Sequence, residues 1–130
     1  MNINELQSKM IPLAEKYNLK LVVLFGSQAS GRTHKRSDID IAVIGKVAFD
    51  MTRLTIDFYN LFNREDVEIV DISSASPTTM YVVVRDGKLL YESESGAFLK
   101  WKLYAMWVWR DTAWLRRLRD KKLVEWAKTA

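Results

Sequence analysis

Apolar side chains recur along the chain with two different periods, and these periods predict eight elements of secondary structure. In four segments they recur every three to four residues, the spacing of a helix with a buried face. Four shorter segments are continuously apolar or alternate strictly, as strands do. The predicted helices cover 4–17, 48–62, 77–85 and 96–120, and the predicted strands cover 20–25, 38–44, 67–72 and 88–92.

Capping residues and helix breakers set the expected boundaries. Asn4 is placed to cap the first helix, and Pro12 favours a kink or an earlier break inside it. Ser76 is expected to cap the third helix, with Pro77 at the first position, where a missing N–H has no cost. Ser95 is expected to cap a long final helix that extends or frays beyond residue 120.

The order of the elements, α-β-β-α-β-α-β-α, predicts an α/β (α+β) fold. We expect a small mixed sheet of about four strands with helices packed on it, and the short strand 88–92 at a sheet edge. A chain of 130 residues predicts one domain, which we divide into a core over 1–95 and a C-terminal interaction helix over 96–130.

Composition narrows the class of protein. The chain has no cysteine, which excludes disulfides and thiolate metal sites and fits a reducing cytosol, so a cytoplasmic protein is expected. No apolar stretch approaches the length of a membrane span, and the first ten residues lack the apolar core of a signal peptide. A contact with membranes is therefore not expected.

Charge and tryptophan are distributed unevenly. Residues 100–130 carry nine Lys and Arg against three Asp and Glu, whereas residues 1–99 carry eleven against thirteen. All five tryptophans also fall in the basic C-terminal part. This asymmetry indicates that the C-terminal segment has a partner of its own.

The most informative stretch is 21–44, where two small motifs follow two apolar runs. Gly26-Ser27 ends the first run, ten residues follow, and Asp38-Ile39-Asp40 then opens the second run. Glycine lets a backbone approach a phosphate closely, and a serine hydroxyl can donate a hydrogen bond to it. A turn of this kind beyond a strand predicts a polyphosphate site.

The two aspartates point to a metal. Because strand side chains alternate between faces, Asp38 and Asp40 share one face, while Ile39 and Ile41 point into a core. Two adjacent carboxylates repel each other unless a cation lies between them. A hard divalent ion such as Mg²⁺ takes oxygen ligands and keeps room for phosphate oxygens.

This constellation resembles the polymerase beta-like nucleotidyltransferase superfamily, and within it the minimal nucleotidyltransferases (MNT), which are often encoded beside a HEPN-domain toxin. The family pattern is Gly-Ser, ten residues, then Asp-x-Asp, and this chain has it at Gly26 to Asp40. The resemblance covers about residues 1–95 and implies the same fold for them. An acidic strand end beside an ordinary turn is the alternative interpretation.

The resemblance implies two-metal phosphoryl transfer, in which carboxylates hold two cations about 3.5–4 Å apart. Asp38 and Asp40 would be two of the ligands. The position of the third family aspartate is occupied here by Glu68, which is one methylene longer. Asp66, on the same alternating face, is the substitute candidate, and Asp71 ranks third because it faces the other way. A solvated edge-strand charge is the alternative for Glu68.

The resemblance also implies that ATP is the substrate and that Gly26 and Ser27 bind its triphosphate. Arg32, Lys35 and Arg36 could add positive charge near the outer phosphates, or could be ordinary solvated loop cations. A single loop histidine, His34, is more often exposed than catalytic.

The final helix carries two apolar stripes, whereas a surface helix of a monomer needs one. The first stripe comprises Phe98, Trp101, Ala105, Val108 and Leu115, and the second comprises Leu103, Met106, Trp107, Trp114 and Leu118. A second stripe indicates burial against another chain, because Trp and Arg are enriched in binding hot spots. The alternative is that the helix wraps its own domain and has both faces covered.

The resemblance implies an Mg²⁺-dependent protein adenylyltransferase that moves AMP from ATP to a tyrosine of a HEPN ribonuclease toxin and so acts as its antitoxin. The Trp-rich helix would help to dock the toxin. The alternatives are an antitoxin that acts by binding alone, a nucleotidyltransferase for a small molecule such as an antibiotic, and, less favoured, RNA binding by the basic tail. Self-association also stays open.

Overall fold

The computed structural model describes residues 2–26 and 38–129. Five helices and four strands lie within these ranges. In chain order they are α1 (Ile3–Lys16), β1 (Leu19–Phe25), β2 (Ile39–Gly45), α2 (Met51–Phe62), β3 (Val67–Asp71), α3 (Pro77–Asp86), β4 (Lys88–Glu92), α4 (Ala97–Asp111) and α5 (Ala113–Thr129).

The four strands form one mixed sheet in the order β3-β2-β1-β4. The central strand β1 pairs antiparallel with both β2 and β4, whereas β2 pairs in parallel with β3. The predicted sheet is thus confirmed, including the edge position of β4. Because β2 and β3 are parallel, they begin at the same end of the sheet, and this brings their acidic residues together.

Helices cover both faces of the sheet, which explains why β1 is apolar at nearly every position. One core contains residues of α1 and α2 packed on Val22, Leu24, Ile39 and Ile41. The second core contains residues of α3 and α4 packed on Leu21, Val23, Phe25 and Ala42. Ile39 and Ile41 are fully buried, as their alternation with the two aspartates predicted.

The start of α1 differs from the prediction. Asn2, not Asn4, is the capping residue, and its side chain accepts a hydrogen bond from the backbone N–H of Glu5. Pro12 does not break the helix, which continues to Lys16. Proline leaves the carbonyl of Ser8 without its helical donor, but both residues are exposed, so water can reach that carbonyl.

The predicted final helix is two helices, α4 and α5, separated at Thr112. The Thr112 hydroxyl donates to the carbonyl of Val108, and Arg116 donates back to the Trp109 carbonyl and to Thr112 Oγ1. These side chains compete with the backbone for carbonyl groups, which ends α4 there. The expected cap at Ser95 is also wrong, because the Glu92 carboxylate accepts from the N–H groups of Gly96 and Phe98.

The apolar stripes of α4 and α5 differ in burial. In the first stripe Phe98, Trp101 and Ala105 are buried, although Leu115 is exposed. The second stripe is exposed at every member: Leu103, Met106, Trp107, Trp114 and Leu118. The alternative in which the domain covers both faces of this segment is therefore wrong for the described residues. Among their helices, none combines the length and the apolar character that crossing a membrane requires.

Candidate functional site

The site is built where β1 ends and where β2 and β3 begin. Asp40 on β2 is the direct partner of Phe25 on one side and of Glu68 on the other. Directly paired residues project from the same face of a sheet, so Asp40 and Glu68 lie side by side. Asp38 precedes the same strand and is exposed. The Asp-x-Asp motif and the predicted third carboxylate thus meet at the end of the sheet where β2 and β3 begin.

Gly26 closes this site from the β1 side. It has a φ of 75°, in the left-handed region that favours glycine. A Cβ atom at this position would lie 2.4 Å from Oδ2 of Asp40. Both the backbone conformation and the close approach to the Asp40 carboxylate therefore require a residue without a side chain. The glycine of the Gly-Ser motif and the second aspartate of Asp-x-Asp are in direct contact.

The electrostatics of the site centre on Asp40, which is half-buried. Burial raises the pKa of the Asp40 carboxyl above its ordinary value of 3.8, and the negative charges of Glu68 and Asp38 raise it further. The fold thus holds this carboxylate where its ionised form is disfavoured. A divalent cation beside it would relieve both the burial cost and the repulsion.

The donor set suits Mg²⁺ because it consists of carboxylate oxygens, which hard cations prefer. Within the described ranges, no three acidic or histidine side chains already stand together closely enough to hold an ion. Asp38 and Glu68 are exposed, so their side chains can turn. The strand register brings Asp40 and Glu68 together, and the charge of Asp38 acts on Asp40, so the three side chains would have to converge on binding.

The two reserve carboxylates are engaged elsewhere. The Asp66 carboxylate accepts two hydrogen bonds from the guanidinium of Arg64. Asp71 lies opposite Val43, towards the other end of β3, and accepts from the backbone N–H and the hydroxyl of Ser73. Glu68 is thus the β3 carboxylate that pairs with Asp40, and its assignment as a metal ligand stays a prediction.

The predicted phosphate-binding residues of the loop lie outside the described residues. They are Ser27, Arg32, Lys35 and Arg36, together with the histidine considered beside them, His34. Arg64 was not predicted to take part in the site; it lies in the turn before β3, and the negative charge of Asp38 acts on its guanidinium. The feature of the sequence that could have indicated its ion pair is the arginine placed two residues before Asp66.

A protein-family model matches most of the chain. The model described as "Polymerase beta, Nucleotidyltransferase" matches residues 8–96. The chain belongs to this nucleotidyltransferase family. The match includes Gly26, Asp38, Asp40 and Glu68 and ends just before α4. The resemblance that the Gly-Ser and Asp-x-Asp motifs indicated is confirmed.

Individual proteins of the family extend the comparison. The protein adenylyltransferase MntA of Shewanella oneidensis is 37% identical over 82 residues, which are 58% of this chain and 56% of MntA. The match therefore spans little more than half the length of the Shewanella oneidensis protein.

Solved structures share the fold over almost the whole chain. One is described as a crystal structure of a toxin-antitoxin with AMP-PNP, and it has a TM-score of 0.75 at 28% identity, covering 91% of this chain and 98% of that chain. A chain of the complex between the tri-AMPylated Shewanella oneidensis HEPN toxin and its MNT antitoxin has a TM-score of 0.71 at 24% identity. It covers 95% of this chain and 99% of that chain, and this second likeness concerns the fold alone.

Proposed function

We propose that the protein transfers AMP from ATP to a tyrosine hydroxyl of a HEPN ribonuclease toxin and thereby acts as its antitoxin. The observation that carries this proposal is the contact of Gly26 with Asp40, beside Glu68 and at the end of β1. The similarity to MntA supports a protein acceptor, and the AMP-PNP complex supports ATP. A cytoplasmic location and a single domain over 1–130 belong to the same proposal.

Asp38, Asp40 and Glu68 would hold Mg²⁺, which when bound lowers the pKa of a coordinated hydroxyl and offsets phosphate charge. Gly26 gives the triphosphate access to the backbone at the end of β1. The acceptor oxygen forms a bond to the α-phosphorus, the bond from that phosphorus to the bridging oxygen breaks, and pyrophosphate leaves. The hydroxyl proton passes to solvent or to a carboxylate.

The proposal is tested by the intact mass of the HEPN partner after incubation with this protein, ATP and Mg²⁺. We expect a gain of whole AMP units with the wild type and none with Asp38→Asn. Asp71→Asn is the matched control, because it also replaces an aspartate by asparagine but lies towards the other end of β3, away from Asp40. Equal modification by wild type and Asp38→Asn would show that the metal assignment is wrong.

The exposed stripe on α4 and α5 is proposed to dock the toxin. The helix α5 has no buried residue, and it carries six Lys and Arg against two Asp and Glu. An apolar surface with a basic rim fits an apolar patch bordered by acidic side chains.

The Tyr81 and Trp109 rings stack with their centroids 4.4 Å apart, and the Arg116 guanidinium lies 3.3 Å from the centroid of the Trp109 ring. These contacts anchor the start of α5.

We expect Trp107→Ala combined with Trp114→Ala to weaken toxin binding about 30-fold or more, because buried interface tryptophans are common hot spots. Both side chains are more than half exposed, so the free protein should keep its stability. Calorimetric titration with the toxin measures the effect. Ile56→Ala on α2, also half-exposed, is the control. Unchanged affinity of the double variant would place the interface elsewhere.

A second candidate function, neutralisation by binding alone, is favoured by one observation. Glu68 stands where the resemblance places the third family aspartate, and its side chain is one methylene longer. This candidate predicts that Asp38→Asn and Asp40→Asn together still protect cells from the toxin. Protection that disappears with these substitutions, while the complex still forms, would leave catalysis as the mechanism.

A further inference from the structure

Arg64 lies in the turn between α2 and β3 and is fixed by a two-point contact. Its Nε donates to Oδ1 of Asp66 at 2.7 Å, and a terminal nitrogen donates to Oδ2 of the same carboxylate. A bidentate pair of this kind fixes both the distance and the plane of the two groups. The Arg64 side chain is 28% exposed and that of Asp66 38% exposed, so the pair lies at the surface of the site.

The backbone connects this pair to the proposed metal site. The carbonyl of Asp66 accepts a hydrogen bond from the N–H of Ile39 at 3.0 Å, the residue between Asp38 and Asp40. Asp66 directly precedes β3, two residues before Glu68, so the parallel pairing of β2 with β3 continues towards it from Ile39 and Val67. Asp66 is thus placed where a fourth carboxylate could compete for a cation.

Electrostatics agrees with this geometry. The hydrogen bond from Arg64 holds the pKa of Asp66 below its ordinary value of 3.8. The pKa of Arg64 is raised, first by the hydrogen bond to Asp66, and the negative charge of Asp38 adds to this. The Arg64 guanidinium therefore interacts electrostatically with Asp38 of the proposed metal site as well as with Asp66.

We propose that Arg64 is a positioning residue that withholds Asp66 from the metal site and leaves Asp38, Asp40 and Glu68 as the carboxylates available there. The inference rests on the proposed function, because it concerns the arrangement of ions that the transfer needs. It assigns Asp66 a structural role instead of the ligand role considered for it from the sequence. Without Arg64, the Asp66 carboxylate becomes available and draws the ion from its productive position.

The test uses the variants Arg64→Met, Arg64→Lys, Asp66→Asn and the double variant Arg64→Met/Asp66→Asn. Two quantities are measured for each variant of the 130-residue chain: Mn²⁺ affinity without nucleotide, by electron paramagnetic resonance, and the rate of AMP transfer. For Arg64→Met we expect Mn²⁺ to bind about 3- to 10-fold more tightly, because a positive charge is removed and a carboxylate is released nearby. We expect transfer to fall about 10- to 100-fold, the usual loss when groups around a metal site are disturbed.

Opposite changes in affinity and rate separate this role from a loss of folding, which would lower both. The double variant should regain transfer to within about 3-fold, because the asparagine that replaces Asp66 cannot act as an anionic ligand. Arg64→Lys should show an intermediate rate, and Asp66→Asn alone should remain active. If Asp66→Asn lost Mn²⁺ affinity and transfer as Asp40→Asn does, or if the double variant stayed impaired, the inference would be overturned.

The Mn²⁺ titration also distinguishes the two proposals. Should wild-type protein modify no acceptor, the order of Mn²⁺ affinities would still report whether Arg64 withholds Asp66. Equal Mn²⁺ affinity of wild type and Arg64→Met would refute the inference even if AMP transfer to the toxin were demonstrated.

Discussion

Replacing Asp40 by asparagine is expected to slow nucleotidyl transfer by orders of magnitude and at the same time to stabilise the fold. The loss should be about 10²- to 10⁴-fold, because Asp40 is proposed as a metal ligand and a catalytic metal contributes several kcal/mol to the transition state. The gain arises because the wild-type carboxylate is half-buried beside Glu68 and Asp38 and has a raised pKa. Solvent screens a half-buried group, so we expect the free energy of unfolding to rise by on the order of 0.5–1 kcal/mol.

The sign of the pH dependence follows from the raised pKa. Between the ordinary value of 3.8 and the raised one, the folded protein binds more protons than the unfolded chain, so stability falls as pH rises through this window. The charge of Asp40 therefore destabilises the fold above the raised pKa. The advantage of Asp40→Asn should be full at pH 7 and should shrink as the pH approaches 3.8.

Urea unfolding with EDTA at pH 7 and pH 4 measures this difference, since a bound cation would mask it. Asp38→Asn is the comparison variant: its side chain is exposed, so it should lose activity with a smaller gain in stability. An Asp40→Asn protein that is less stable than wild type at pH 7 would contradict the electrostatic explanation.

Gly26→Ala is expected to lower transfer about 10²-fold, because small misplacements of catalytic groups have effects of this size. An added methyl group would meet Oδ2 of Asp40 at 2.4 Å, and the flexible carboxylate can only turn away from it. The left-handed backbone also costs about 1–2 kcal/mol for a residue with a side chain. The variant should therefore lose both stability and the placement of Asp40.

Gly96→Ala separates these two effects. Gly96 has a φ of 90°, so alanine is strained there as well, but its Cβ would meet no atom within 4 Å. We expect the two variants to lose a similar free energy of unfolding, measured in urea, and only Gly26→Ala to lose Mn²⁺ affinity and transfer. Equal activity of the two would show that the contact with Asp40 is unimportant.

The sequence by itself determined the four strands, the mixed sheet and the face on which Asp38 and Asp40 project. The strands and the shared face follow from local periodicity, and the mixed sheet follows from the order of the elements along the chain. The spacing from Gly26 to Asp40 also identified the family, since two short motifs at a fixed separation, each beside an apolar run, seldom occur together by chance.

Only the tertiary structure decided which neighbours meet. The pairing of Asp40 with Glu68 depends on the parallel register of two strands, and the engagement of Asp66 depends on how the chain turns at Arg64. The cap supplied by Glu92 and the break at Thr112 arise from side chains that compete for backbone groups. Hydrophobic periodicity cannot predict these hydrogen bonds, because it indicates which residues are buried and not which polar groups become partners.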